Sequence, residues 1–120
     1  MMIFEEVVQR AVEETNGALA AIIMARDGIS LSMYLKPEVV LDLETMGIEY
    51  ANLLGDIMRA SETMQAGGVK EVSLTTDRYV VHIRVLNAEY FVALILDPNG
   101  NLGKGRFLLR VSAPSLLKEL

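Results

Sequence analysis

The chain has 120 residues, 52 % of them hydrophobic and 22 % charged, with 16 acidic side chains against 11 basic for a net charge of −5. That composition excludes intrinsic disorder and leaves more apolar surface than a small monomer easily hides. The acidic balance argues against nucleic acid as the main ligand, no apolar run reaches membrane-spanning length, and the lack of cysteine excludes disulfides and thiolate metal sites.

A chain of this size buries about two-thirds of its unfolded surface, so a single domain over residues 1–120 with its own core is expected. The opening Met1-Met2-Ile3-Phe4-Glu5-Glu6 has no basic n-region, which speaks against a secretory signal and for a cytoplasmic protein.

In chain order, Ile3, Val7, Val8 and Ala11 repeat at helical spacing among glutamates, which predicts a short amphipathic helix ended by Asn16-Gly17. Ala18 to Ala25 is apolar throughout, as a strand buried on both faces would be. Asp27-Gly28 signals a hairpin into Ile29–Leu35, where Ile29, Leu31, Met33 and Leu35 alternate with polar residues. Lys36-Pro37 stops that strand. A long helix is predicted from Asp42 to Ala66, terminated by Gly67-Gly68. Three strands follow, at Val69–Thr76, Tyr79–Leu86 and Tyr90–Leu96, joined by the short turns Asp77-Arg78 and Asn87-Ala88. Asp97-Pro98-Asn99-Gly100 reads as a β-turn, and Asn101 as the N-cap of a last helix to about Arg110, which Pro114 bends or restarts. The order α-β-β-α-β-β-β-α predicts an α+β fold: a five-stranded antiparallel sheet with helices on both faces.

The long helix carries an unusually wide apolar arc. Ala60, Leu53, Met46, Met64, Ile57, Tyr50, Leu43, Leu54, Met58 and Ala51 fill about half its circumference, where a single sheet needs roughly a 100° stripe. Gly47, Ala51 and Gly55 recur every fourth residue within or beside that arc, and each helical glycine costs about 1 kcal/mol against alanine. Two explanations stand: a partner helix approaches closely there, or the chain's own sheet does. The strand at Val69–Thr76 has no proline and one lysine at its start, so it is a poorly defended edge that suits pairing with a second copy, or one shielded from within.

Catalytic patterns do not assemble. His82 is the sole histidine, mid-strand beside Arg84, and reads as a surface or structural residue. Gly100-x-x-Gly103-x-Gly105 lacks the phosphate-loop spacing; it fits an anion at a helix start or, better, close helix–sheet packing. No cofactor and no metal is expected.

Several stretches together resemble the Roadblock / dynein light-chain family, its bacterial MglB-like branch in particular. They are Asn16-Gly17-Ala18 leading into a strand that ends Arg26-Asp27-Gly28; the long helix after Pro37-Glu38; Glu71-Val72-Ser73-Leu74; Tyr90-Phe91-Val92-Ala93-Leu94-Ile95-Leu96; and Asn101-Leu102-Gly103-Lys104-Gly105-Arg106. The resemblance implies a dimer in which second helices pair and third strands join two sheets, and binding to a small Ras-like GTPase whose own groups are repositioned. It therefore implies no catalytic residue in this chain. The expected dimer set is Gly47, Tyr50, Ala51, Leu54, Met58, Val72, Ser73 and Leu74; the expected GTPase-facing set is Glu44, Ile48, Asn52, Gly55 and Arg59. Ile48 stands out there as an isoleucine on a polar helix face. The competing expectations are a dimeric scaffold or adaptor for another protein, and a small-ligand sensor with an apolar pocket between sheet and helices.

Overall fold

The computed structural model describes residues 3–120. Its elements are α1 (Ile3–Glu13), β1 (Ala18–Ala25), β2 (Ser30–Leu35), α2 (Leu43–Thr63), β3 (Glu71–Thr75), β4 (Val80–Val85), β5 (Tyr90–Leu96) and α3 (Leu102–Lys118). The strands form one sheet in the order β2-β1-β5-β4-β3, antiparallel at every step. This is the expected α+β architecture. The uniformly apolar strands β1 and β5 lie side by side in the interior of the sheet, where both faces are covered.

Alternation along the strands divides the core in two. Ala21, Ile23, Val92, Leu94 and Leu96 meet Val8, Val12, Leu109 and Leu116, so α1 and α3 share one face of the sheet. Ala20, Ile22, Met24, Ile83, Phe91 and Ile95 meet Leu43, Ala51 and Leu54, so α2 covers the other. The loops follow local chemistry. The Asp27 carboxylate accepts from the Ile29 N–H at 3.2 Å in the β1–β2 turn, and Asn87 accepts from the N–H groups of Glu89 and Tyr90. Asp42 and Asn101 cap α2 and α3 by accepting from the N–H groups of Thr45 and Lys104. Gly17 has φ +82°, and its carbonyl accepts the Asp97 N–H at 2.7 Å, which ties the entry of β1 to the exit of β5.

One expectation is refined and one is corrected. The exposed face of the half-exposed strand β2 is not a polar one: Leu31 and Met33 are exposed, while Ser32 and Tyr34 are partly buried and the Tyr34 hydroxyl donates to Glu13 of α1 at 2.8 Å. At this sheet edge the cover is α1, and a register shift opposite Ile23/Met24 displaces the start of β2. The last helix does not end near Arg110. It runs unbroken to Lys118 with Pro114 inside. Pro114 stands on the exposed side of α3, where solvent can satisfy the backbone carbonyl that the missing N–H leaves unpaired.

Candidate functional site: the α2 surface and the β3 edge

Burial sorts the residues of α2 into three strips. Leu43, Gly47, Ala51, Leu54 and Ser61 face inward and are buried. A Cβ on Gly47 would stand 2.7 Å from Met24 Cε and 3.0 Å from Ile22 Cδ1, so this glycine exists to let α2 sit down on β1. Of the small residues spaced by four, Gly47 and Ala51 thus serve the chain's own sheet, while Gly55 lies at the surface beside Arg26. Gly47, Ala51 and Leu54 are withdrawn from the expected dimer set, because their side-chain positions are already filled by β1 and its neighbours.

The second strip is apolar and uncovered. Leu53, Ile57, Ala60 and Met64 follow one another at helical spacing, with Leu53 37 % and Met64 70 % exposed and Ile57 partly so. Met46 and Tyr50 adjoin it and pack at the margin of the core, as does Met58 on the opposite margin. Tyr50 lies beside Tyr79, the residue before β4, and burial with that neighbour pushes its hydroxyl pKa up to about 12. On the same face of the sheet, Val72 packs at the core margin and Leu74 is 37 % exposed. Val72 and Leu74 are the residues of β3 that share a face with Ile83 and Val81. β3 is an outer strand, so its free edge continues the same surface. Of the expected dimer set, Tyr50, Val72 and Leu74 line this region, whereas Met58 lies across the core beside Gly55 and Arg59; Leu53 and Ile57, outside that set, lie in the region too. The width of the apolar arc is the sequence signal for them.

The third strip carries Glu44, Ile48, Asn52, Gly55 and Arg59, all on one flank of α2 as the spacing predicts. Ile48 is 40 % exposed beside the β1–β2 turn, its Cγ1 3.6 Å from where a Gly28 Cβ would stand. Arg26 reaches over to Gly55, donating from Nη1 to the Ala88 carbonyl at 3.1 Å. Arg59 pairs with Asp56 at 3.2 Å in a fully solvated geometry, which is worth little to stability. An open groove of about 540 Å³ follows, lined by Arg26, Met58, Arg59, Glu62 and Val69 among others. It lies at the surface near the C-terminal end of α2, unlike the enclosed apolar pocket a ligand sensor would need.

The other face of β3 holds a polar chain. Ser73 faces away from α2, toward the α1/α3 side, together with Glu71 and opposite His82. His82 is 1 % exposed and has Nδ1 2.6 Å from Ser73 Oγ and Nε2 2.9 Å from Glu71 Oε1. Glu71 also accepts two hydrogen bonds from Arg106 of α3, and Arg84 lies 3.9 Å away. Hydrogen bonds from Arg106 and its positive charge hold the Glu71 carboxyl down at about 2. Burial pushes the His82 pKa below the usual imidazole range despite the Glu71 carboxylate. The neutral ring then donates from Nε2 to Glu71 and accepts the Ser73 O–H at Nδ1. The order Ser–His–Glu matches a nucleophilic triad on paper. Here Arg106 and Arg84 already neutralise the carboxylate, so the imidazolium that a general base must form is poorly stabilised. The chain works instead as a clip that pins the edge strand to β4 and α3. Ser73 thus serves this clip, and its side chain is on the wrong face for the expected interface.

The glycines at the start of α3 are packing residues. A Cβ on Gly105 would lie 2.5 Å from Leu94 Cδ2, and one on Gly100 3.0 Å from Leu96 Cβ. Among the described residues, no cluster of His, Asp and Glu is arranged to hold a metal ion, and no helix is long and apolar enough to cross a membrane.

No family model matches the chain, and no curated protein matches it. Solved structures do. MglC from Myxococcus xanthus is 41 % identical over 99 % of this chain and 100 % of its own, with a TM-score of 0.72. The gliding protein MglB from Thermus thermophilus is 17 % identical over 97 % of this chain and 87 % of its own, at a TM-score of 0.85. A Roadblock/LC7 domain from Streptomyces avermitilis is 14 % identical over 92 % of each chain, at 0.81. The last two establish likeness of fold alone. The identity to MglC across the full chain, on a fold shared with a Roadblock/LC7 domain, makes this chain a member of the Roadblock/LC7 family.

Proposed function

We propose that this protein is a cytoplasmic homodimer that binds a small Ras-like GTPase and regulates its nucleotide cycle. The observation that carries the reading is a pair of unfinished surfaces. The apolar strip Leu53–Ile57–Met64 belongs to the helix that covers the sheet face carrying Val72 and Leu74 of β3, and among the described residues neither the strip nor the free edge of β3 has a partner. A two-fold axis beside them would pair α2 with α2 and β3 with β3, which covers the strip and ends the exposed edge in one step. Membership of a family that includes proteins named for gliding supports a regulatory part over an enzymatic one.

Glu44, Ile48, Asn52, Gly55 and Arg59 are proposed as the GTPase-facing strip. They lie on the opposite flank of α2 from the pairing strip, so a dimer leaves them free. No group of this chain is assigned to the hydrolytic chemistry; it would act by positioning groups of the GTPase.

The test is to incubate the purified protein with the Ras-like GTPase encoded nearest to it and follow phosphate release and nucleotide exchange. Acceleration of either, abolished by Ile48→Glu with self-association intact, is the expected result. Unchanged rates and no complex by calorimetry, with the GTPase active, refute regulation and favour the scaffold reading, in which the dimer recruits another protein.

A further inference from the structure

α3 presents a surface that neither self-pairing nor the GTPase-facing strip uses, since it lies on the opposite face of the sheet from α2. Its inward side is fully engaged: Gly105, Leu108, Leu109, Ala113 and Leu116 are buried. Its outward crest is apolar. Phe107 is 47 % and Val111 46 % exposed, and Pro114 follows on the same side, at helical spacing. A core helix has no need of a phenylalanine on its solvent crest.

The charge around this crest is one-sided. From Leu102 to Lys118, α3 contains Lys104, Arg106, Arg110 and Lys118 and no carboxylate, in a chain whose net charge is −5. Arg106 is held by Glu71, whereas Lys104, Arg110 and Lys118 make no ion pair among the described residues. Arg110 lies over the Phe107 ring, 5.7 Å from its centroid, which keeps a guanidinium at the edge of the apolar crest. Helix stability explains only Lys118, which lies in the last turn; Lys104 in the first turn opposes the macrodipole, and that turn holds no acid.

We infer that the outer face of α3 is a docking surface for an acidic amphipathic helix of another protein. Such a helix would lay apolar side chains on Phe107, Val111 and Pro114 and carboxylates on Arg110, Lys104 and Lys118. Charge complementarity selects this occupant. A second copy of this chain fits poorly, because the acidic α1 exposes glutamates, Gln9 and Arg10 on its outer side and has no apolar stripe there to cover Phe107. An anionic bilayer fits poorly too. α1 lies beside α3 on the same face of the sheet, so a flat membrane would meet Glu5, Glu6, Glu13 and Glu14 together with the cations. A single helix can follow α3 and avoid them.

The probe is a fluorescent designed peptide of about five helical turns, with leucine on one face and glutamate on the other, read by anisotropy against the full chain. Its comparators are a scrambled peptide of the same composition, the same peptide with lysine for glutamate, and phosphatidylserine/phosphatidylcholine vesicles. The expected result is saturable binding of the acidic amphipathic peptide alone, weakened by added salt. Arg110→Glu and Phe107→Ser should each weaken it at least about tenfold, while Ile48→Glu on the other face leaves it unchanged. Thermal unfolding by circular dichroism confirms that both α3 variants fold, and Arg110→Glu, an exposed change, stands alone should Phe107→Ser fail. No saturable binding, equal binding of the scrambled or lysine peptide, indifference to Arg110→Glu, or stronger binding to vesicles would each overturn the inference.

Discussion

Replacing Glu71 by glutamine tests whether the edge strand is pinned by charge. The substitution keeps the shape and an acceptor for His82 Nε2–H but removes the carboxylate that Arg106 grips through Nε and Nη2. The carboxyl is held at about 2 against an ordinary 4.5. That difference, at 1.36 kcal/mol per unit, sets an upper value of about 3 kcal/mol, and the solvent around the half-exposed Arg106 reduces it to about 2 kcal/mol. The sign follows from linkage. Glu71 is easier to protonate in the unfolded chain, so its stabilisation is complete above pH 4.5 and is lost as the pH falls from there through about 2. His82 adds a limb in the same direction at higher pH: the unfolded ring takes up its proton near 6.5 while the buried ring resists, so stability falls as the pH drops below that value. Glu71→Gln should therefore lower Tm at pH 7 by about 6–12 °C, using about 3–6 °C per kcal/mol for a domain of this size. Urea titrations at a series of pH values should show the wild type losing its advantage over the variant between pH 4.5 and 2. Parallel acid limbs for the two proteins in that window would refute the account of the clip.

Gly17→Ala should cost about 3–5 kcal/mol in urea unfolding. Its φ of +82° is unfavourable for alanine, and the new Cβ would stand 2.5 Å from the Gly100 Cα, a backbone atom that cannot yield without loosening the β1–β5 tie. Ala51→Arg should unfold the chain before it reports on any interface, because that position is buried against the sheet; a folded, merely dissociated variant would contradict the assignment of Ala51 to the core. Ile48→Glu should leave the unfolding free energy within about 0.5 kcal/mol of wild type and abolish GTPase binding by calorimetry; retained affinity moves the contact face elsewhere.

The fold was legible because local signals agreed with one another. Apolar runs at Ala18–Ala25 and Tyr90–Leu96 marked interior strands, Asp27-Gly28 and Asn87-Ala88 marked turns, and Asn101 marked a cap. For β2 alternation marks a half-exposed strand and reports which residues are apolar, but at a sheet edge the covering helix decides which face is buried. The end of α3 lies beyond its expected position because a proline need not end a helix where the freed carbonyl can reach water. At the site, the wide arc of α2 was readable, and its division into sheet-facing and uncovered strips was not. Gly47 and Gly55 have the same spacing signature, yet one is pressed against Met24 and the other lies at the surface beside Arg26. The Glu71–His82–Arg106 clip was out of reach: it joins residues 11 and 35 positions apart, and depends on the β3–β4 register and on where α3 lies.

Light scattering on the wild type and on Leu53→Arg tests the proposed self-pairing most directly. Leu53 is already 37 % exposed, so the substitution should spare the fold of the single chain while placing a charge at the centre of the paired helices. The account predicts twice 13.2 kDa for the wild type and 13.2 kDa for the variant, with matching circular dichroism. A monomeric wild type, or a variant that remains at the doubled mass, would contradict it.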